Sequence, residues 1–319
     1  MKQVIIAMIP GIIAAIWILG WGVLIQCLLA VGFALMFEAI MLKIRRRPVR
    51  PYLLDGSVII TALLFALAIT PFSPWWISLT GTAFAVIIAK HLYGGLGYNL
   101  FNPAMAGYVF VLLCFPVEMN LWPALAPATA YRPGLAETFT IIFNGTINTA
   151  DGISGATPLG YLKTQITGMA MISEISTSPL FGMVGGKGWE WMGLAWFAGG
   201  LWLLLKKIIP WQLPVFFLTT LFLGSLILHW YDTDIYVSPL FHIFSGGVLV
   251  AAFFIITDPV TTSATPRGKM VFAAGIAIIL LLIRNWGAYP DGIAFAVLIM
   301  NAAVPFIDSL TRPRIFGES

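Results

Sequence analysis

Apolar runs broken by charges and Gly/Pro turns organise this chain. They predict spans at about 4–20, 22–42, 57–70, 75–90, 102–116, 189–205, 211–230, 237–257, 270–284 and 291–307. The third, fourth, fifth, ninth and tenth are short for a bilayer. Short spans in corresponding positions point to broken helices lining a site. Lys2 and the run behind it resemble a secretory signal. No small-residue cleavage site follows, and the next run starts directly after Gly20-Trp21-Gly22, so a retained anchor is expected.

The polar positions fix an orientation. With the N-terminus inside and ten alternating spans, the inner side holds Lys2, Lys43, Arg45, Arg46, Arg47, Arg50, Lys90, Lys206, Lys207, Arg267, Lys269, Arg312 and Arg314. Those are 13 of the 17 bases. The outer side keeps Arg132, Lys163, Lys187 and Arg284. Both termini are therefore expected in the cytoplasm.

The stretch 117–188 is the one long segment of lower hydrophobicity, rich in Pro, Gly, Ser, Thr and Asn, and it falls on the outer face. It divides the chain into a first membrane repeat (1–116), an outer loop (117–188) and a second membrane repeat (189–319). Gly56-Ser57-Val58-Ile59-Ile60, running on to Thr70-Pro71, is echoed by Gly246-Gly247-Val248-Leu249-Val250, running on to Thr257-Asp258-Pro259. Lys90, Tyr93 and Gly94 are echoed by Arg284, Trp286 and Gly287. Five spans per half would invert the second copy, an arrangement that places binding sites between the halves.

Composition changes the picture only by exclusion. With 60% hydrophobic and 9% charged residues, the chain falls outside the soluble range of about 45–50% and 25%. A net charge of +4 and a pI near 9.1 would raise nucleic acid as a partner, but these bases flank apolar runs and read as topology signals, so none is expected. Aromatic residues at span ends fit an interfacial belt. Cys27 and Cys114 have no second thiol or His at ligand spacing, so no metal site is expected. Glu38 is expected to snorkel from the inner end of its span. Lys90, His91 and Arg284 are expected to mark interfaces, and Asp258-Pro259 stands at the inner end of the eighth span.

Candidate chemistry lies in the outer loop, at Asp151-Gly152-Ile153-Ser154-Gly155-Ala156-Thr157-Pro158-Leu159. Gly152 and Gly155 let the backbone bend into another protein's cleft. Pro158 biases Thr157 toward an extended conformation. No His lies near to act as a base, so Thr157 suits a modification acceptor better than a nucleophile. Equally, Thr157 or Ser154 could cap a following helix. Asn99 and Asn102 flank a Pro-broken helix entry. They could coordinate an ion, hydrogen-bond a flavin ring or cap the helix.

The nine-residue string resembles the flavinylation signature D-G-x-[ST]-G-A-T at every specified position. Gly94-Gly95-Leu96-Gly97-Tyr98-Asn99-Leu100-Phe101-Asn102-Pro103-Ala104 resembles the G-G-x-G-x-N-x-F-N-P-A segment of the same membrane family. Over nearly its whole length the chain is similar to the NqrB/RnfD family. That family joins a membrane component of the Rnf ferredoxin:NAD oxidoreductase, RnfD, with one of the sodium-pumping NADH:quinone reductase, NqrB.

The resemblance implies an all-α polytopic membrane protein of about ten transmembrane helices in two inverted five-helix repeats, like urea transporters. It implies FMN joined through its phosphate to Thr157 by a flavin transferase that reads Asp151, Gly152, Ser154, Gly155 and Ala156. A second, non-covalent flavin such as riboflavin is also implied. Electron transfer coupled to Na⁺ or H⁺ translocation in the inner membrane follows, with the Thr157 loop on the periplasmic side.

Entry into the membrane at about residue 4 favours the Rnf type, with the other Rnf subunits (A, B, C, E and G) as partners. The sodium-pump type usually carries a longer N-terminal extension. A non-redox channel on the same scaffold is the alternative of another class. With no dinucleotide fingerprint, phosphate loop or Cys cluster, NADH, ferredoxin and iron–sulfur chemistry are assigned to partner subunits.

Overall fold

The computed structural model describes residues 1–125, 132–145 and 153–312, and among these the regular elements are all helical. Helices α1 (Lys2–Leu19) and α2 (Gly22–Ile44) are followed by a short α3 (Val49–Leu54) and α4 (Ser57–Ala68). Helix α5 (Trp75–Ala83) continues as a π-helical stretch, Phe84–His91, and α6 is Pro103–Cys114. The outer segment holds α7 (Leu135–Asn144), α8 (Pro158–Thr167) and α9 (Ile172–Ile175). Then come α10 (Trp189–Leu205), α11 (Gln212–Tyr231), α12 (Pro239–Phe244), and α13 (Val248–Val250), which runs on as a π-helical Ala251–Ile255. Helices α14 (Pro266–Trp286) and α15 (Ile293–Thr311) close the fold.

One sequence device opens four of these helices. Asn102, Thr157, Ser238 and Thr265 each stand before a proline, and each side chain accepts a backbone N–H of the first turn. Proline at the first helical position costs no hydrogen bond there, and the cap satisfies an orphan donor. The same device corrects the ninth predicted span. Thr265-Pro266 starts α14 ahead of residue 270, so the helix runs 21 residues. Helix α15, also expected to be short, has 19.

Among the described residues, five helices (α1, α2, α11, α14 and α15) are long and apolar enough to cross a membrane. The chain also forms helices at the other five predicted places, but they are short, broken or partly π-helical. The eighth predicted span, 237–257, breaks at Ser245-Gly246-Gly247. Gly246 has φ +68°, and a Cβ there would sit 2.4 Å from Asp291 Oδ2, so only glycine fits. The echoed position, Gly56 between α3 and α4, has φ +80°.

Corresponding helices pack alike in the two halves. Helix α2 packs on α3, α4 and α5, as α11 packs on α12, the π stretch after α13, and α14; the π stretch after α5 packs on α6, as α14 packs on α15. The halves meet where α1 crosses α10 and α6 crosses α15. At the first crossing a Cβ on Gly199 would lie 2.0 Å from the Ala7 carbonyl oxygen, a backbone approach only glycine permits. Phe65, Phe217, Phe253 and Phe272 are fully buried inside, while Trp17, Trp230, Tyr231 and Leu205 stand exposed. So broad an apolar exterior suits hydrocarbon rather than water.

Candidate functional site

Thr157 sits half-buried at the N-cap of α8. Its Oγ1 accepts the Gly160 N–H at 3.0 Å, with the backbone extended (φ −68°, ψ 157°) ahead of Pro158. The capping alternative is thus realised, and capping keeps the hydroxyl at the positive end of a helix. Of the remaining motif residues, Asp151 and Gly152 lie outside the described residues. Gly155 donates its N–H to the Trp122 carbonyl, and Ala124 donates to Ile153, pairing the motif with the 122–124 strap. A Cβ on Gly155 would meet Ala124 at 3.1 Å. Ala156 is exposed and Ser154 half-buried.

Thr157 opens on a cavity of about 480 Å³. The cap and first turns of α8 line it: Thr157, Pro158, Leu159, Gly160, Lys163 and Thr164. The remaining wall is largely apolar and aromatic, with Leu64, Met105, Tyr108, Trp122 and Trp189. Such a composition, apolar with a few polar groups, is that of a small-molecule site. The Trp189 Nε1–H is buried with no acceptor among the described residues. A buried orphan donor is costly unless a ligand satisfies it.

Asn99 and Asn102 do not join that cavity. Both are buried and line a second one of about 530 Å³, beside Ser57, Lys90, Asp258, Thr262 and Lys269. Asn102 caps α6, its Oδ1 accepting Ala104 and Met105 N–H at 3.0 and 3.2 Å. Its Nδ2 donates to the Ile255 carbonyl at 3.4 Å, and its N–H donates to Asn301 Oδ1 at 3.0 Å. Among the described residues Asn99 donates only to the Phe101 carbonyl, at 3.2 Å. Thr262 Oγ1 is another buried orphan on this wall. Burial raises the pKa of Asp258.

The second cavity is bounded by the N-terminus and the loops after α5, α10 and α13; the first by the loops after α6 and α14 and the outer segment. The two therefore open at opposite ends of the bundle. Leu64 lines both.

Glu38 does not snorkel. It is 2% exposed, with Oε1 2.9 Å from Lys90 Nζ and Oε2 3.1 Å from His91 Nε2. The His91 contact is close but misaligned for a hydrogen bond, so both atoms remain unsatisfied in that sense and the contact is electrostatic. Lys90 also reaches Ser57 Oγ at 3.4 Å, at the start of α4. Arg284 holds the corresponding break, donating to the Ser245 and His242 carbonyls at 3.0 and 2.7 Å and pairing with Asp291 at 3.3 Å.

Sequence reasoning missed Trp189, Lys163, Thr262 and Asp291. Trp189 and Asp291 are remote in sequence from the motif, and nothing in local spacing marks Lys163, six positions after Thr157, or Thr262, four after Asp258. The echo of Lys90 with Arg284 was the one available hint for Asp291.

The NQR2, RnfD, RnfE family model matches residues 1–317. The chain is similar to the ion-translocating oxidoreductase complex D-subunit of Escherichia fergusonii, 47% identical over 329 residues, covering 100% of this chain and 94% of that one. It is similar to the protein of the same description from Aeromonas hydrophila, 46% identical over 327 residues, covering 99% and 93%. The chain belongs to the NQR2, RnfD, RnfE family.

Proposed function

We propose that this chain is an integral membrane subunit of an Rnf-type ion-translocating oxidoreductase complex, and that Thr157 carries FMN through its phosphate. The observation that carries this reading is the Thr157 hydroxyl at the N-terminus of α8, opening on the 480 Å³ cavity. The residues present fit the group. The helix N-terminus, with Gly160 N–H nearest, favours the phosphate's negative charge. The apolar walls exclude water from a ring, and Trp189 offers an unspent donor.

When bound, the flavin supplies the redox chemistry. The chain holds the tether at Thr157, fixes its direction through Pro158, and backs it with Trp122 and Trp189. A flavin transferase would attach the group, reading Asp151 through Thr157. Covalent attachment keeps the cofactor at an outward face, where a dissociated one would be lost.

The two halves read as inverted repeats of five spans. Supporting this are the paired left-handed glycines, the paired cations Lys90 and Arg284 at the helix breaks, and the matched helix contacts. In the orientation given by the basic residues, both termini face the cytoplasm and Thr157 the periplasm. The second cavity, with Asn99 and the orphan Thr262 hydroxyl, is assigned to a non-covalent flavin such as riboflavin. The other Rnf subunits (A, B, C, E and G) would supply the NADH, ferredoxin and iron–sulfur sites.

Digestion and mass spectrometry of protein matured beside its transferase tests the assignment. The peptide bearing Thr157 is expected to carry the mass of FMN less water, and Thr157→Ala to abolish in-gel flavin fluorescence. An unmodified Thr157 peptide overturns it.

A further inference from the structure

Lys163 is the one cation among the described residues lining the Thr157 cavity. It lines the cavity from α8, six positions beyond Thr157 and about 9 Å along the axis at about 1.5 Å per residue, and it also lines a smaller cavity beside Arg284 and Asn285. Gly160, between them in the chain, adds no side chain to the wall. A ribityl phosphate chain anchored at Thr157 is of comparable length, so a tethered ring reaches the level of Lys163 rather than of Gly160.

The charge on Lys163 has no anionic partner among the described residues. Its Nζ donates to two neutral carbonyls, Arg284 at 3.0 Å and Asn285 at 3.3 Å. Asp291, the carboxylate on the cavity wall, is engaged elsewhere, by Arg284 at 3.3 Å and by the Gly247 N–H at 3.2 Å. Partial burial already works against the ammonium and lowers its pKa. A half-buried cation held by neutral groups gains most from a neighbour that becomes negative. Lysines near helix C-termini are also found simply to complete the last carbonyls, as Lys163 does for α14.

We propose that Lys163 is the cation that stabilises the Thr157-linked flavin when it takes up an electron, an inference that rests on the covalent assignment above. The step is a single-electron transfer. One electron enters the oxidised isoalloxazine from a one-electron reductant, which is oxidised by one. No proton is taken up, and the added negative charge, spread over N1 and the C2 carbonyl, would be offset by a Lys163 ammonium that keeps its proton.

The test is a spectroelectrochemical titration of flavinylated full-length protein with dithionite and mediators. It compares wild type with Lys163→Gln, which keeps a donor for the Arg284 and Asn285 carbonyls but loses the charge, and with Lys163→Arg. In wild type the anionic, red-coloured one-electron form is expected to accumulate. In Lys163→Gln the first reduction is expected to become at least tenfold less favourable, a fall of about 59 mV for one electron. Lys163→Arg is expected to restore it. A first potential in Lys163→Gln within threefold of wild type overturns the proposal and leaves Lys163 as a helix cap. If the variant loads no flavin, wild type alone decides: a neutral, blue one-electron form, or none, overturns it. Absence of covalent flavin from wild type overturns the underlying assignment instead.

Discussion

Removing the Glu38 carboxylate tests how the inner half of the bundle is held. Glu38 and Lys90 are each 2% exposed and 2.9 Å apart. Among the described residues Lys90 has no other anion, and Ser57 Oγ at 3.4 Å is a weak substitute. Glu38→Met therefore strands a buried ammonium. Breaking a buried pair from one side costs about 3–5 kcal/mol, whereas replacing both partners by apolar groups is often neutral.

Lys90→Met should cost a similar amount by stranding the carboxylate, partly offset because His91 Nε2 stays 3.1 Å from Oε2. The double variant should then be more stable than either single one, with a coupling of about 3 kcal/mol or more. Since about 1.4 kcal/mol is tenfold in an equilibrium, that is over a hundredfold in the folding equilibrium constant. SDS titration in mild detergent, followed by fluorescence of the 12 tryptophans, measures all four corners of the cycle. A double variant destabilised by the sum of the two single losses would refute the reasoning.

Three further outcomes are expected. Asn102→Ala should lose about 1 kcal/mol, the worth of an N-cap, because Ile255 keeps the Asp258 N–H at 3.3 Å; Asn102→Ser should recover most of it in the same titration, unless Asn102 acts chiefly as a ligand. Gly246→Ala should cost about 2–4 kcal/mol, from a left-handed φ and crowding against Asp291, and a near-neutral value would contradict the break geometry. Trp189→Phe should leave flavin-free protein as stable or slightly more so, because it deletes an orphan donor. The same change should destabilise flavin-loaded protein, and equal melting shifts in both forms would remove Trp189 from the site.

Much of the helical layout was legible in one dimension. Apolar runs closed by Gly, Pro and bases located the apolar helices to within a few residues, though not the short α3 or the outer-segment helices α7 to α9, and Asn102-Pro103 and Thr157-Pro158 marked starts. The break at Ser245-Gly246-Gly247 was not seen, because its flanks are as apolar as a continuous span and only the left-handed Gly246 interrupts it. Glu38 was misread for a related reason. A carboxylate near a span end snorkels by default, and its partners Lys90 and His91 stand 52 and 53 positions away, brought to it by the π-helical stretch. The flavinylation motif was legible because a separate enzyme must read it as a linear string. The cavity behind Thr157 was not, since its wall comes from five distant segments.

Leu64 gives the fold an electrical consequence. Two hollows entering from opposite ends share Leu64 as a wall residue, and the protein around it is the plug between them. Wherever both are wetted by the electrolyte on their own side, they sit at nearly that side's potential. The voltage drop, worth about 2.3 kcal/mol per elementary charge for each 100 mV, is then squeezed into the thickness of that plug. A charge shifted a few ångströms there would do nearly the work of a full crossing.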